Sequence, residues 1–245
     1  MHPALATLNE RTSIDKTRNF AHVPLSSMAS EVAHKYIVVE GPIGVGKTSL
    51  ARRLCDSLSA HGVFEQASEN PFLERFYRNP RAGALPTQLY FLLQRAQQLT
   101  ALTQADLFVP VRVADYLLEK DRLFARVTLD EDEYALYEQL YTKLDIRSPK
   151  PDLVVYLQAP VDVLLERIAK RGVDYEQYID RGYLERLNEA YARFFHEFEA
   201  APLLIVNAAS IDPISNQRDY DELLAAIRRM SRGRLYFNPL RSRTL

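Results

Sequence analysis

The chain has 245 residues, 47% of them hydrophobic, and carries 31 basic and 32 acidic side chains for a net charge of −1. That size suits one α/β domain, and the balanced charge gives no reason to expect a nucleic-acid or membrane partner. The single cysteine, Cys55, excludes an internal disulfide, the five histidines lack zinc-ligand spacing, and no stretch approaches the ~20 apolar residues of a membrane span, so a cytoplasmic protein is expected.

Residues 1–33 are polar and without a sustained period. Glu10 and Asp15 among Arg11, Lys16 and Arg18 argue against a transit peptide, and a disordered tail is expected. The apolar run Tyr36-Ile37-Val38-Val39 predicts a first strand over 35–40. It leads into Gly41-Pro42-Ile43-Gly44-Val45-Gly46-Lys47-Thr48-Ser49, which contains the pattern G-x-x-x-x-G-K-[ST]. A helix over 47–60 follows, with Leu50, Leu54, Cys55 and Leu58 on one face. Strand, glycine loop and helix N-terminus in that order make a phosphate cradle. Glycines let backbone N–H groups turn toward the anion, and the helix end adds positive partial charge. Lys47 is expected to reach the β- and γ-phosphates of ATP, and the Thr48 hydroxyl to ligate Mg²⁺.

A second strand is predicted over 63–68, broken by Glu69-Asn70-Pro71, with Pro71 in the first turn of a short helix and Asn79-Pro80-Arg81 as a loop. Leu89, Leu92, Leu93, Ala96 and Leu99 predict a long helix over 85–102. Strands over 106–114, 152–158 and 203–206 alternate with helices over 116–126, 131–144, 160–171, 183–198 and 220–230. Five β runs alternating with helices predict a parallel sheet covered on both faces, within one domain over 34–231. The basic stretch 232–245 is low in pattern and is expected as a loop or frayed tail.

Several motifs then converge on one family. They are the cradle itself, Glu69-Asn70-Pro71-Phe72-Leu73-Glu74-Arg75-Phe76-Tyr77, Gln88-Leu89-Tyr90-Phe91-Leu92-Leu93-Gln94-Arg95, Ala114-Asp115-Tyr116, and Leu165-Glu166-Arg167-Ile168-Ala169-Lys170-Arg171-Gly172. In this order and spacing, from Tyr36 to Met230, the chain resembles the deoxynucleoside kinases, in their bacterial deoxyguanosine/deoxyadenosine kinase branch. The resemblance implies a P-loop kinase fold with a five-stranded parallel sheet. It implies transfer of the γ-phosphoryl group of ATP to the 5′-hydroxyl of a deoxyribonucleoside, with Mg²⁺, often by a homodimer.

It also implies roles. Glu69 would accept the 5′-hydroxyl proton, and Asp115 would share the metal with Thr48. Arg167 and Arg171, with Lys170 between them, would form a lid over the donor phosphates. Glu176 would touch the sugar 3′-hydroxyl. Gln88 would pair with the nucleobase edge, and Arg95, seven residues on, would point into the same pocket. The chain departs from the pattern in two places: the Arg usual after the acidic residue is Tyr116, and the Arg usual after the lid glycine is Val173. Lys120, where some relatives carry an Asp against the base, would favour an acceptor such as guanine O6. Phe72, Tyr77 and Phe124 are stacking candidates. Two other readings are a nucleoside monophosphate kinase, with Arg75, Arg78 and Arg81 on an acceptor phosphate, and a non-catalytic nucleotide-binding subunit.

Overall fold

Five consecutive buried residues, Tyr36–Glu40, form the central strand β1. An unbroken apolar run of this kind belongs to a parallel strand covered on both faces. The computed structural model describes residues 34–104 and 111–238. After β1 come α1 (Lys47–Leu58), β2 (His61–Val63), α2 (Leu73–Arg78), α3 (Pro80–Gln104), β3 (Arg112–Ala114), α4 (Lys120–Thr128) and α5 (Glu131–Leu144). The order continues with β4 (Leu153–Gln158), α6 (Val161–Arg171), α7 (Arg181–Glu197), β5 (Leu203–Asn207), α8 (Gln217–Arg229) and β6 (Arg234–Phe237). The sheet order is β2-β3-β1-β4-β5-β6, with every pairing parallel. The chain leaves β1 between β3 on one side and β4 on the other. The loop after β1 therefore opens at a topological switch point, where open α/β sheets bind ligands.

The parallel α/β fold matches the expectation, and the strand count is six instead of five. The added strand, β6, lies within the stretch expected as a loop. Leu235 and Tyr236 are exposed there, so no buried alternation marks it in the sequence. Main-chain pairing to β5 holds it, and the Arg234 guanidinium donates to the His196 carbonyl at 2.9 Å. β2 ends at Val63 rather than running to 68. The Asp115 carboxylate accepts the Glu65 N–H at 2.8 Å and draws the chain off the ladder, and residues 67–69 form a 3₁₀ turn. The long helix begins at Pro80, where a loop was expected. Gly83 lets it press on α2, since a Cβ at Gly83 would lie 2.4 Å from the Phe76 Cα.

The fourth helix begins at Lys120 instead of Tyr116, so residues 115–119 form a largely buried loop between β3 and α4. The last helix starts three residues early because Asn216 caps it, accepting the Asp219 N–H at 3.2 Å. The helix over 131–144 stands as expected, opened by a reciprocal capping box between Asp130 and Glu133. The predicted tail over 1–33, most of the strand expected over 106–114, and residues 239–245 lie outside the described residues. Among the described residues no helix is long and apolar enough to cross a membrane.

Candidate active site

The cradle starts from a buried carboxylate. Glu40, at the end of β1, accepts the Gly41 N–H at 3.1 Å, the Leu117 N–H at 3.0 Å and the Tyr191 hydroxyl at 2.9 Å. These bonds tie the loop to the segment after β3 and to α7. Burial pushes the Glu40 carboxyl up, against Lys120 and Lys47. Gly46 caps α1 with φ 104°, a conformation that favours glycine, and α1 has no side-chain cap. Its first N–H groups are thus left for an anion. Lys47 Nζ donates to the Pro42 carbonyl at 3.0 Å. Desolvation, then the neighbouring Lys120, pull the Lys47 amine down to about 8, against Glu40, Glu65 and Asp115. The Thr48 hydroxyl donates to one oxygen of Asp115, and burial, then Glu65, push the Asp115 carboxyl up.

This loop fits a nucleoside triphosphate, and Thr48 with Asp115 supplies the hard oxygen donors that suit Mg²⁺. Among the described residues no cluster of three or more His, Cys, Asp or Glu could cage a metal.

On one side of the cradle lies a cavity lined by Glu65, Gln88, Arg95, Lys120, Tyr77, Phe124 and Glu176, among others. Glu65 is its electrostatic centre. Its side chain is 17% exposed and pairs with Lys120 at 2.9 Å and with Arg95. Burial alone would raise the Glu65 carboxyl, but Lys120 and Arg95 outweigh it and hold it well below the usual carboxylate range. Arg95 also pairs with the fully buried Asp121, which accepts the Tyr137 hydroxyl at 3.2 Å. Gln88 is buried, and its Oε1 has no protein partner, nor does the Thr87 hydroxyl. Buried polar atoms of this kind are costly unless a ligand or water meets them.

Gln88, Arg95 and Glu176, expected around the nucleoside, share this cavity. Other expected residues are placed differently. Glu69 is exposed on the 3₁₀ turn and outside the cavity, with Gln94 Nε2 3.5 Å from its carboxylate. Glu65, four residues earlier, points in instead. Lys120 does line the cavity, but its ammonium is engaged by Glu65, so it gives no reason to prefer guanine. Tyr77 and Phe124 line the cavity; Phe72 packs edge-on against Tyr90 outside it. Arg75, Arg78 and Arg81 do not line it either; Arg78 pairs with Glu74 at 3.0 Å. Sequence reasoning missed Glu65, Asp121 and Glu40. The only signal for Glu65 was its position just past Gly62-Val63, where the second strand in fact stops.

On the other side is a cleft of about 530 Å³ between the glycine loop, the end of α6 and residues 208–215. Gly44, Val45, Gly46, Lys47, Thr48 and Ser49 line it, with Arg167, Lys170 and Arg171. Gly41 and Pro42 lie behind them as the buried root of the loop, and Ile43 faces the first cavity. Arg167 donates to the Val45 carbonyl at 3.1 Å and the Ala208 carbonyl at 2.7 Å, stitching the glycine loop to the segment after β5. Arg171 grips both oxygens of Glu176, at 2.8 and 2.7 Å. Gly44, Lys47, Thr48 and Arg171 line both cavities, which therefore meet at Lys47.

A family model described as deoxynucleoside kinase matches residues 37–231. The chain is 32% identical over 203 residues to a deoxyguanosine kinase of Bacillus subtilis, covering 80% of this chain and 97% of that one. It is 28% identical over 205 residues to a deoxyadenosine kinase of Lactobacillus acidophilus, covering 78% and 94%. Among solved structures, a deoxyadenosine kinase from M. mycoides with bound dATP is similar at a TM-score of 0.68 and 25% identity, covering 79% of this chain and 99% of that one. The match runs from β1 to just past α8 and takes in the cradle, the buried carboxylate and the basic end of α6: the chain belongs to the deoxynucleoside kinase family.

Proposed function

We propose that the protein transfers the γ-phosphoryl group of ATP to the 5′-hydroxyl of a purine deoxyribonucleoside, deoxyguanosine or deoxyadenosine. The observation that carries this reading is the meeting of two cavities at Lys47, with Glu65 lining the first of them and paired with Lys120 and Arg95. The purine preference is drawn from the relatives named above.

Phosphoryl transfer is mostly positioning and charge stabilisation. Lys47 and the free N–H groups of α1 hold the donor phosphates. Thr48 and Asp115 would hold Mg²⁺, which when bound neutralises charge on those phosphates. Glu65 is the general base in place of Glu69: it takes the 5′-hydroxyl proton as that oxygen bonds to the γ-phosphorus and the bond to the β-phosphate oxygen breaks. Lys120 and Arg95 keep Glu65 charged and fix its direction, and Lys120 supplies the cation that Tyr116 does not. Gln88 offers a side-by-side donor and acceptor to the base edge. Glu176 and Tyr77 face the sugar, and Arg171 with Lys170 covers the phosphates. A monophosphate acceptor would call for an extra arginine in the first cavity, and Arg75, Arg78 and Arg81 lie outside it. A homodimer is part of the same reading.

The test is ATP-dependent phosphorylation of the four deoxyribonucleosides beside their 5′-monophosphates, with Mg²⁺. Turnover of deoxyguanosine or deoxyadenosine is expected; turnover of monophosphates alone would overturn the reading. Glu65→Gln should lower kcat by about 10²-fold or more while ATP still binds. Glu69→Gln should change kcat by less than about twofold, and the reverse pattern would return the base role to Glu69.

A further inference from the structure

The family match stops at residue 231. The chain then turns through Gly233 and adds β6 to the edge of the sheet, beside β5. This extension is anchored at its start. The Leu203 N–H donates to the Gly233 carbonyl at 2.9 Å, and Arg234 reaches the His196 and Phe198 carbonyls at the end of α7, at 2.9 and 3.3 Å.

At its other end the extension reaches the segment that follows β5. Asn238 Oδ1 accepts from Asn207 Nδ2 at 3.3 Å and lies 3.2 Å from the Ser210 hydroxyl. Asn207 and Ser210 are themselves cross-bonded. The Ala209 N–H donates to Asn207 Oδ1 at 3.1 Å, and the Ser210 N–H and hydroxyl face the Asn207 carbonyl at 3.2 and 3.0 Å. Immediately beyond, Ala208, Ala209 and Ile211 to Ser215 form one wall of the donor cleft. The far end of that wall is held separately, by Arg53 on α1 donating to the Pro213 and Ile214 carbonyls at 2.9 and 2.7 Å.

We propose that residues 232–238 are a brace for the donor-nucleotide wall, and that Asn238 is a positioning residue for the loop that lines the ATP cleft. Arg53 and Arg167 hold the wall from within the family-matched fold; Asn238 holds its first turn from outside it. Fixing a binding loop before the ligand arrives lowers the ordering cost of binding. The effect should therefore appear in donor affinity and leave the acceptor cavity alone, because no residue of 232–238 lines that cavity.

The proposal rests on the reading of this cleft as the ATP site, so the first readout is ATP binding by titration calorimetry on the full chain, which needs no turnover. Asn238→Ala should weaken ATP binding about three- to tenfold, the loss expected for one or two hydrogen bonds. KM for ATP should rise in parallel, and KM for the deoxynucleoside should stay within about twofold. Asn238→Asp keeps the acceptor oxygen that takes both bonds and should bind ATP as the wild type does. Ser210→Ala approaches the same contact from the loop, and combined with Asn238→Ala it should cost no more than the larger single change. Unchanged ATP affinity in Asn238→Ala, or an equal rise in KM for both substrates, would overturn the brace. ATP binding with no phosphoryl transfer in the wild-type chain would instead count against the proposed function and leave the brace standing.

Discussion

At Lys47 two influences oppose each other. Desolvation and the Lys120 ammonium disfavour its charge, while Glu40, Glu65 and Asp115 favour it, and the balance lies at about 8. At pH 8 roughly half of the empty protein therefore has a neutral Lys47. ATP brings several negative charges to that amine and raises its pKa, so binding at pH 8 should take up a proton, on the order of half a proton per site. Below pH 7 the amine is already charged and the uptake should vanish. Calorimetry in two buffers of different ionisation enthalpy measures this directly, and Lys47→Met should remove it. Binding at pH 8 with no uptake would mean that the amine is already charged in the empty cradle. At this scale, Gln88, Arg95 and Glu176 were legible because helical spacing and motif order fix where they point. Glu65 was not. Its inward direction depends on Asp115 pulling the chain off the sheet, and its charge depends on Arg95 and Lys120, which are 30 and 55 residues away.

Helix and strand identity followed closely from the pattern, and boundaries followed less well. α5 and α6 were legible from their own residues, the first from Asp130 and the second from Gly172, which ends it with φ 69°. β6 was not legible, since only its main chain pairs and two of its apolar side chains face water. α4 and α7 leave a cleft between them lined by Leu123, Val127, Ala190 and Phe194 within a rim of Arg122, Arg126, Arg186 and Arg193. An apolar centre with a charged rim is the composition of a subunit interface, and this cleft is where the proposed homodimer would form. Sedimentation equilibrium at micromolar concentration should give twice the mass of one chain. Ala190→Asp, which sets a charge at the centre of the cleft, should return it to a single-chain mass. A wild-type chain sedimenting as a monomer would remove the dimer from the proposal.

The described residues build one continuous sheet, with its cavities where the strand order turns back at β1. β1 lies between β3 and β4, and the two cavities open on either side of the loop that leaves it. That much was legible once the cradle and the alternation of strands and helices were recognised. The contact between the two sides was not, because Arg171 was expected on the donor phosphates alone. It lines both cavities, and its guanidinium is held by both oxygens of Glu176. On the proposed function, a sugar hydroxyl at Glu176 would compete for that carboxylate and free the guanidinium to turn to the phosphates. Water is always present as a rival acceptor, and a charge clamp that waits for the sugar would keep ATP from being spent on it. Glu176→Gln weakens the restraint. It should raise phosphate release from ATP without nucleoside by about threefold or more, even as turnover of the deoxynucleoside falls. If phosphate release stays at the wild-type level, the pair acts as a fastener only, and protection against hydrolysis must come from other residues of the site.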